Sequence, residues 1–379
     1  MRYLGTLYGI FLLGCGLLGC SQPNAADSND KLEASKPKAD AVEAILPQVP
    51  RDSMIRDEER DWIAKIVARL EDDDPKLAYA DWLERRNDDR ANFLQKYVLA
   101  IRSMNPAEFP PDAGLPEEWL ELIGYRLMAR AANKGFPELK SPILRLARPA
   151  LRMKKEPTDD QQIKIGASKV GGLPDLPPGF VWPPGGECRA IYNDDTGGTE
   201  RLAGFLAQIN LAEIANTQAA HGLPKSGLLS FFCFQDMEND HPDAIGVKAI
   251  LIPGTPTLTR MEPPKRLTKG NEVLPVNRLI LEETLDLPES FDGPWSDEIQ
   301  PAGHPDYSSV LDHFRSLNFD NILGYGRATS GADPTPDRQS RHLIVLSNAA
   351  GCRLHIQISQ NDLNACNFDA IRLKWVDFD

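Results

Sequence analysis

The sequence changes character near residue 157, and this change limits the folds that the chain can adopt. Before it, apolar residues recur three and four positions apart, which is the spacing of amphipathic helices. After it, Pro and Gly become frequent and the apolar runs shorten to the length of strands. We therefore predict an α+β protein: a small all-helical N-terminal domain over residues 56–156, followed by a β-sheet-rich α+β domain with long Pro/Gly loops over residues 157–379.

The helical half carries a series of apolar stripes. Trp62, Ile66 and Leu70 belong to the first stripe, and Asp74-Pro75 looks like an N-cap followed by Pro at the first helical position. The spacing predicts one long helix over residues 116–134 and extends the helical region to about residue 155. Five basic residues near its end indicate a solvated helix end or, alternatively, a patch that faces anions or lipid headgroups: Arg145, Arg148, Arg152, Lys154 and Lys155.

The second half of the sequence predicts both strands and helices. The predicted strands cover residues 228–234, 247–252, 342–346 and 353–358, and the predicted helices cover residues 202–215 and 308–317. In the last strand, polar residues alternate with Leu and Ile, so that they share one side of the strand. This polar set, Arg353, His355 and Gln357, forms either a stripe that faces a ligand or a plain solvent face.

A short motif in the helical half carries the first family resemblance. Residues 73–94 read DDPKLAYADWLERRNDDRANFL. This run, within residues 55–100, resembles the bacterial repeat-companion domain, a helical module with no assigned activity that is often found beside interaction domains. Tyr79, Trp82 and Leu83 share one face of the predicted helix, so packing alone also explains the motif.

Several ordered motifs in the second half carry another resemblance. They read SKVGGLPDLPPGFVWP at residues 168–183, FLAQINL at 205–211, LPKSGLLSFF at 223–232 and ILGY at 322–325. Together they resemble the YwqG-like family of unknown function across residues 160–379. The resemblance implies an α+β fold with an extensive sheet and an internally duplicated plan, and it implies no known reaction. The acidic W-G-D-x-G-like stretch of that family is replaced here by NAAGC at residues 348–352.

Four residues in these motifs are candidates for binding a ligand. Trp182 lies between Val181 and Pro183, where it serves either as a core plug or as a stacking platform. Gln208 interrupts an apolar run and is either a satisfied polar group or a ligand contact. Tyr325 lies in the Gly-rich segment 324–331, which lacks the Lys and the spacing of a phosphate loop. His355 is the fourth candidate.

Motifs with a known catalytic mechanism are missing from the sequence. It contains no G-x-S-x-G elbow, no H-E-x-x-H pair and no Walker loop, so we assign no catalytic residue and expect neither a metal nor a cofactor. Two groups are weaker candidates for cation binding than for solvated loops. They are the acidic alternation Asp236, Glu238 and Asp240, and the cluster His304, Asp306, Asp312 and His313.

The first twenty residues indicate export. Arg2 precedes an apolar run at residues 4–18 that is too short for a confident membrane span. Residues 17–20 read LLGC and resemble a bacterial lipobox, which implies a signal peptide over residues 1–19 and acylation of Cys20, for example with palmitate. A cleaved signal with an incidental Cys is the alternative, and Cys15 closes a weaker copy of the motif. Residues 20–55 then form a disordered tether that is poor in aromatic residues.

Charge and cysteine content limit which partners and which cellular compartment suit the chain. The chain has 42 Lys and Arg against 55 Asp and Glu, a net charge of -13, which disfavours nucleic-acid binding. We expect a lipid-anchored protein of the bacterial cell envelope that faces the periplasm, bound to the membrane through its anchor and able to bind a protein partner. In that oxidising compartment, four cysteines form one or two disulfides or stay as buried thiols: Cys188, Cys233, Cys352 and Cys366.

These observations favour a non-catalytic binding or interaction module. The alternative is an envelope hydrolase or small-molecule-binding enzyme with an unrecognised site in the YwqG-like half, built from His, Asp and Gln side chains that converge from distant segments. Protection against an imported toxin is a weaker third hypothesis.

Overall fold

A computed structural model describes most of the chain. The described residues are 55, 57–188, 202–235, 245–254, 257–265, 274–288, 293–295, 297, 320–326, 335–347 and 352–377. All of them belong to one compact unit, residues 54–379. Five sequence predictions fall outside the described residues, apart from residue 55 at the end of the tether: the signal peptide with Cys20, the tether over residues 20–55, the acidic alternation at 236–240, the cluster at 304–313 and the helix at 308–317.

The N-terminal part of the unit is helical, as predicted. Its helices are α1 (Arg60–Ala68), α2 (Asp74–Glu84), α3 (Arg90–Ser103), α4 (Glu117–Leu122), α5 (Tyr125–Lys134) and α6 (Lys140–Leu146). Tyr79, Leu94, Tyr97 and Trp119 are fully buried between them. Tyr79, Ala80 and Leu83 of the motif thus pack in the helical core, Trp82 lies partly buried against it, and Asp81 is exposed.

Two helix predictions in this part are wrong. Residues 116–134 form two helices rather than one, because Gly124 adopts a left-handed φ of 81° between α4 and α5. The helical region ends at Leu146, and residues 148–157 form a strand. The signal for this end is Pro149, because the residue before a proline disfavours helical backbone angles.

The C-terminal part is dominated by a ten-stranded sheet with the order β12-β11-β10-β9-β1-β8-β2-β4-β5-β6. The two remaining strands, β3 and β7, pair with each other. In chain order, the strands are β1 (Arg148–Pro157), β2 (Lys169–Val170), β3 (Asp175–Leu176), β4 (Gly204–Asn210), β5 (Leu228–Gln235), β6 (Ile245–Ile252), β7 (Thr259–Arg260), β8 (Asn277–Asp286), β9 (Asp320–Ile322), β10 (Ser340–Ser347), β11 (Cys352–Ser359) and β12 (Arg372–Asp377). The predicted α+β fold is confirmed.

The four predicted strands are confirmed as β5, β6, β10 and β11. The helix predicted over residues 202–215 is wrong, because its first part is β4 and only α7 (Leu211–Ile214) is helical. The Asn210 side chain caps α7 by accepting a hydrogen bond from the Ala212 amide at 3.0 Å. A second short helix, α8 (Gln360–Asn364), follows β11.

One face of the sheet is mainly apolar, and its charged members include Glu283, Lys155 and Asp320. Alternate residues of the strands, together with Leu211 and Ile214 of α7 and Leu363 of α8, form a single buried cluster on this face. The sheet curls around the cluster until its edge strands β6 and β12 contact each other. Lys248 of β6 lies 3.7 Å from the Asp369 carboxylate just before β12. This face supplies the main core of the C-terminal part.

The helical part packs directly on the sheet. Leu285 of β8 and Leu287 just after it are fully buried in the core formed by the helices. The Thr284 hydroxyl donates a hydrogen bond to the Glu121 carboxylate of α4 at 3.1 Å. The central strands therefore belong to both cores.

Candidate functional site

The face of the sheet opposite the apolar cluster is the candidate site, and we call it the polar face. Register aligns one row of residues across six neighbouring strands, so that their side chains share this face. From β12 to β8 the row is Lys374, His355, Val345, Asn321, Arg152 and Glu282. The polar face continues across β2, β4 and β5 through Lys169, Gln208 and Ser230.

At the β4–β6 end, the same face is covered by an aromatic cluster. Trp182 is buried there, and its ring meets Phe232 edge-on with 5.4 Å between centroids. The indole N–H donates to the carbonyl of Ala203. Phe205 and Phe234 belong to the same cluster. Trp182 thus packs as a core side chain with its polar atom paired.

Gln208 lies in a buried network of charges on β2–β4. Its amide donates to the Asp175 carboxylate at 2.8 Å and its carbonyl accepts from the Asp175 amide at 3.0 Å. Asp175 also accepts from Arg260 at 2.9 Å, and Lys169 donates to Asp160 at 2.8 Å. Burial lowers the pKa of Lys169, while the hydrogen bond to Asp160 opposes that shift. These contacts are typical of a structural network in which each buried charge has a partner.

The Gly-Gly pair of the SKVGGLP motif permits this network. A Cβ on Gly171 would lie 2.2 Å from the carbonyl oxygen of Pro275, and a Cβ on Gly172 would lie 2.7 Å from the Asp160 carboxylate. Both glycines also have positive φ angles. The two glycines of the motif therefore allow the backbone to pack closely against Pro275 and Asp160.

Tyr325 stands where β9, β1 and β8 meet α6. Its amide donates to the Asp286 carboxylate at 2.7 Å, and its hydroxyl donates to the carbonyl of Leu146 at 2.6 Å. The Arg148 guanidinium lies 3.5 Å from the centroid of its ring. Asn321 donates to the carbonyl of Tyr325 at 3.1 Å. Tyr325 thereby links the polar face to the helical part.

His355 is fully buried beside a second histidine. Its Nδ1 lies 3.3 Å from Nδ1 of His342 on β10, and the two rings are nearly perpendicular at 78°. Nε2 of His342 lies 2.8 Å from the Thr335 hydroxyl. Arg353 and Gln357, the other members of the predicted stripe, are also buried. The solvent-face interpretation of this stripe is wrong.

Of the five basic residues predicted near a helix end, only Arg145 lies in a helix, in the exposed last turn of α6. Arg148 and Arg152 lie on the polar face, where Arg152 is aligned with Asn321. Lys155 alternates to the other face and pairs with Asp320 at 2.7 Å. The helix assignment is wrong for Arg148, Arg152, Lys154 and Lys155, because these four belong to the central strand β1.

All four predicted binding residues thus lie on one face of one sheet, in two separate groups. Trp182 and Gln208 belong to the β4–β6 half, whereas Tyr325 and His355 belong to the β9–β11 half. Sequence reasoning missed His342 and Asn321. His342 was hidden because a β-bulge between His342 and Ile344 changes the face to which it belongs.

Three further features that the described residues could contain are disulfides, groups of metal-binding side chains and membrane-spanning helices. Cys188, Cys233 and Cys366 are thiols rather than disulfide partners, and burial raises the pKa of Cys233 to about 12. Among the described residues, no group of three or more His, Cys, Asp or Glu side chains is placed to hold a metal ion. None of the described helices combines the length and apolar character needed to cross a membrane.

Comparisons with known proteins identify the family but no close curated relative. No curated protein matches the chain. A family model described as a domain of unknown function, DUF1963, matches residues 168–376, which is more than half of the chain and includes the sheet from β2 onward. The central strand β1 lies before the matched residues. The chain therefore belongs to the DUF1963 family.

Proposed function

We propose that this protein is a lipid-anchored binding protein of the bacterial cell envelope, and that it binds its ligand without turning it over at the β9–β11 half of the polar face, in which we include Arg152 of the adjoining strand β1. The supporting observation is a contrast within one sheet face. The β4–β6 half is covered by aromatic side chains, whereas the β9–β11 half buries Asn321, His342, His355 and Arg353.

Burying these polar side chains costs free energy, which favours a functional reason for their presence. An amide or imidazole taken from water without full compensation costs roughly 1–3 kcal/mol on mutational scales. The same sheet packs Phe232 and Phe234 at equivalent depth, so apolar residues can cover this face. Asn321 is fully buried, and its Oδ1 has no hydrogen-bond partner among the described residues. Polar groups retained in such a place are candidates for recognising a polar ligand.

The chemistry of the face indicates the type of ligand. Arg152 and Arg353 carry forked donors, which suit a carboxylate or phosphate group. Asn321 Oδ1 is an acceptor, so it suits a hydroxyl or N–H donor elsewhere on the same polar ligand. A protein partner that presents an acidic side chain has the same chemistry. In both cases the β9–β11 half of the polar face is the contact.

Ligand retention tests the binding proposal. Full-length protein is extracted gently from envelopes, and native mass spectrometry measures what stays bound. Arg152→Gln removes a forked donor whose side chain is 21% exposed, and Lys154→Gln is the matched control two residues along the same strand. We expect a stoichiometric ligand on the wild type and on K154Q, with at least tenfold less on R152Q.

Two results would contradict the proposal. Equal retention by R152Q and K154Q would exclude the β9–β11 half as the contact. Conversion of the retained ligand into a product during incubation would instead favour the alternative function, an envelope hydrolase or other enzyme.

The lipid anchor is a separate part of the proposal and has its own test. It is supported by the LLGC motif at residues 17–20 and the aromatic-free segment that follows. We expect Cys20→Ser to abolish incorporation of an alkyne-labelled palmitate and to leave the signal peptide uncleaved. Cys15→Ser, the matched control in the weaker motif, keeps both. Labelling of C20S at the wild-type level would refute the anchor.

A further inference from the structure

The His342–His355 pair is built by a specific irregularity in β10. Ile344 aligns with Ile356 on the apolar face, and residue 342 would share that face if the strand were regular. The β-bulge between His342 and Ile344 instead aligns His342 with Gln357, on the polar face. Both imidazoles are fully buried. The fold thus departs from regular pairing at the position that brings the two rings together.

The spacing of the two rings matches that of metal ligands. Nδ1 of His342 and Nδ1 of His355 are 3.3 Å apart. Two nitrogens that bind Zn²⁺ at about 2.0–2.1 Å from neighbouring tetrahedral corners lie about 3.3–3.4 Å apart. Imidazole nitrogen is a preferred ligand of Zn²⁺ and Cu²⁺. We propose that His342 and His355 form a two-histidine site for a divalent transition-metal ion, with Zn²⁺ as its first candidate.

Thr335 orients one of the two ligands. Its hydroxyl lies 2.8 Å from Nε2 of His342. When Thr335 accepts the Nε2–H proton, the lone pair of His342 is on Nδ1, the atom that faces His355. Ligating histidines generally donate their other ring nitrogen to such a partner, which fixes the tautomer and the ring orientation. The Thr335–His342 contact therefore has the geometry of an outer-shell contact.

The two histidines would supply two of the four ligands of a tetrahedral Zn²⁺ ion, so the proposed site needs two further donors. Arg353 and Lys374 lie on the same face beside His355 and weaken the binding of a dication by repulsion. An anionic group that coordinates the metal offsets this repulsion. The site thus favours a metal held together with a carboxylate or phosphate, and the metal proposal does not depend on the lipid anchor.

Metal titration of the full-length protein in detergent tests the site. Isothermal titration with Zn²⁺ is carried out on the wild type, on His342→Gln and on His355→Gln, with His221→Gln as the matched control because His221 is exposed. We expect the wild type and H221Q to bind one Zn²⁺ with the same affinity, and the other two variants to bind it at least tenfold more weakly. Wild-type affinity in H342Q and H355Q would overturn the proposal.

A spectroscopic measurement tests the site even if H342Q or H355Q does not fold, because it needs neither variant. Cu²⁺ is added to full-length H221Q protein labelled with ¹⁵N-histidine, and electron paramagnetic resonance counts the ligating imidazole nitrogens. The proposal predicts two nitrogens, and Thr335→Val is expected to weaken Cu²⁺ binding while the protein stays folded by circular dichroism. A signal from one nitrogen or none would overturn it.

Discussion

At the scale of single residues, Glu283 shows what burial does to a charge on the apolar face. Glu283 of β8 is buried, and its carboxylate accepts a hydrogen bond from the Ala219 amide at 2.8 Å. Burial, opposed by hydrogen bonds from the Ala219 and Gln218 backbone, raises the pKa of Glu283 from its ordinary value of 4.5 to about 7. The folded protein therefore holds a proton here that the unfolded chain releases above pH 4.5.

Because the folded protein must give up this proton as pH rises, we predict that its free energy of unfolding falls at alkaline pH. The contribution of Glu283 is fully present below pH 4.5 and is lost as pH rises through about 7, at a cost of up to about 3 kcal/mol. Glu283→Gln removes the titrating group and keeps an oxygen for the Ala219 amide. We expect E283Q to be more stable than the wild type at pH 8, with a smaller fall in unfolding free energy from pH 5 to pH 8.

Urea denaturation at the two pH values measures this difference. Glu282→Gln is the matched control, because Glu282 is the neighbouring residue and its side chain is 49% exposed. An E283Q protein with the same pH dependence as E282Q would contradict the role assigned to the buried carboxyl.

At the scale of elements, the sequence predicts strands where a short apolar run is bounded by turn residues or where apolar and polar residues alternate. Apolar runs place β5, β6 and β10 correctly, and alternation places β11. Periodicity alone does not find the break at Gly124 or the strand β1. Helical and extended segments with mixed apolar and basic residues have similar composition, and only Pro149 marks the change.

The candidate site could be predicted only in part, also for reasons at this scale. His355 is visible because it alternates with Leu354 and Ile356 in an otherwise regular strand. Its neighbour His342 belongs to a different strand, and a bulge moves it to the polar face. Register and bulges depend on pairing between distant segments, which the order of residues along one strand does not record.

At the scale of the whole molecule, the central strand β1 joins the helices to the sheet. β1 pairs with β8 over its full length and with β9 on its other side, and it follows α6 directly. Leu285 and Leu287 are buried in the helical core. The predicted boundary between residues 156 and 157 therefore passes through the end of β1, and the domain division stays a prediction.

This arrangement predicts which fragments fold. A fragment of residues 157–379 lacks nearly all of β1, which leaves one long edge of β8 without its partner in the middle of the sheet. We expect it to be unfolded or aggregated by circular dichroism and gel filtration. The longer fragment 54–379 keeps the complete unit and is expected to unfold in one cooperative transition. A folded, monomeric 157–379 fragment would contradict the central role of β1.

The central claim is that the β9–β11 half of the polar face binds the ligand. Hydrogen–deuterium exchange on full-length protein, extracted with its ligand and measured again after the ligand is washed out, tests this claim most directly. We predict faster exchange after removal in peptides that cover residues 320–326 and 335–359, and unchanged exchange in β4, β5 and β6. A change confined to β4–β6 or to the helices α1–α6 would contradict the claim.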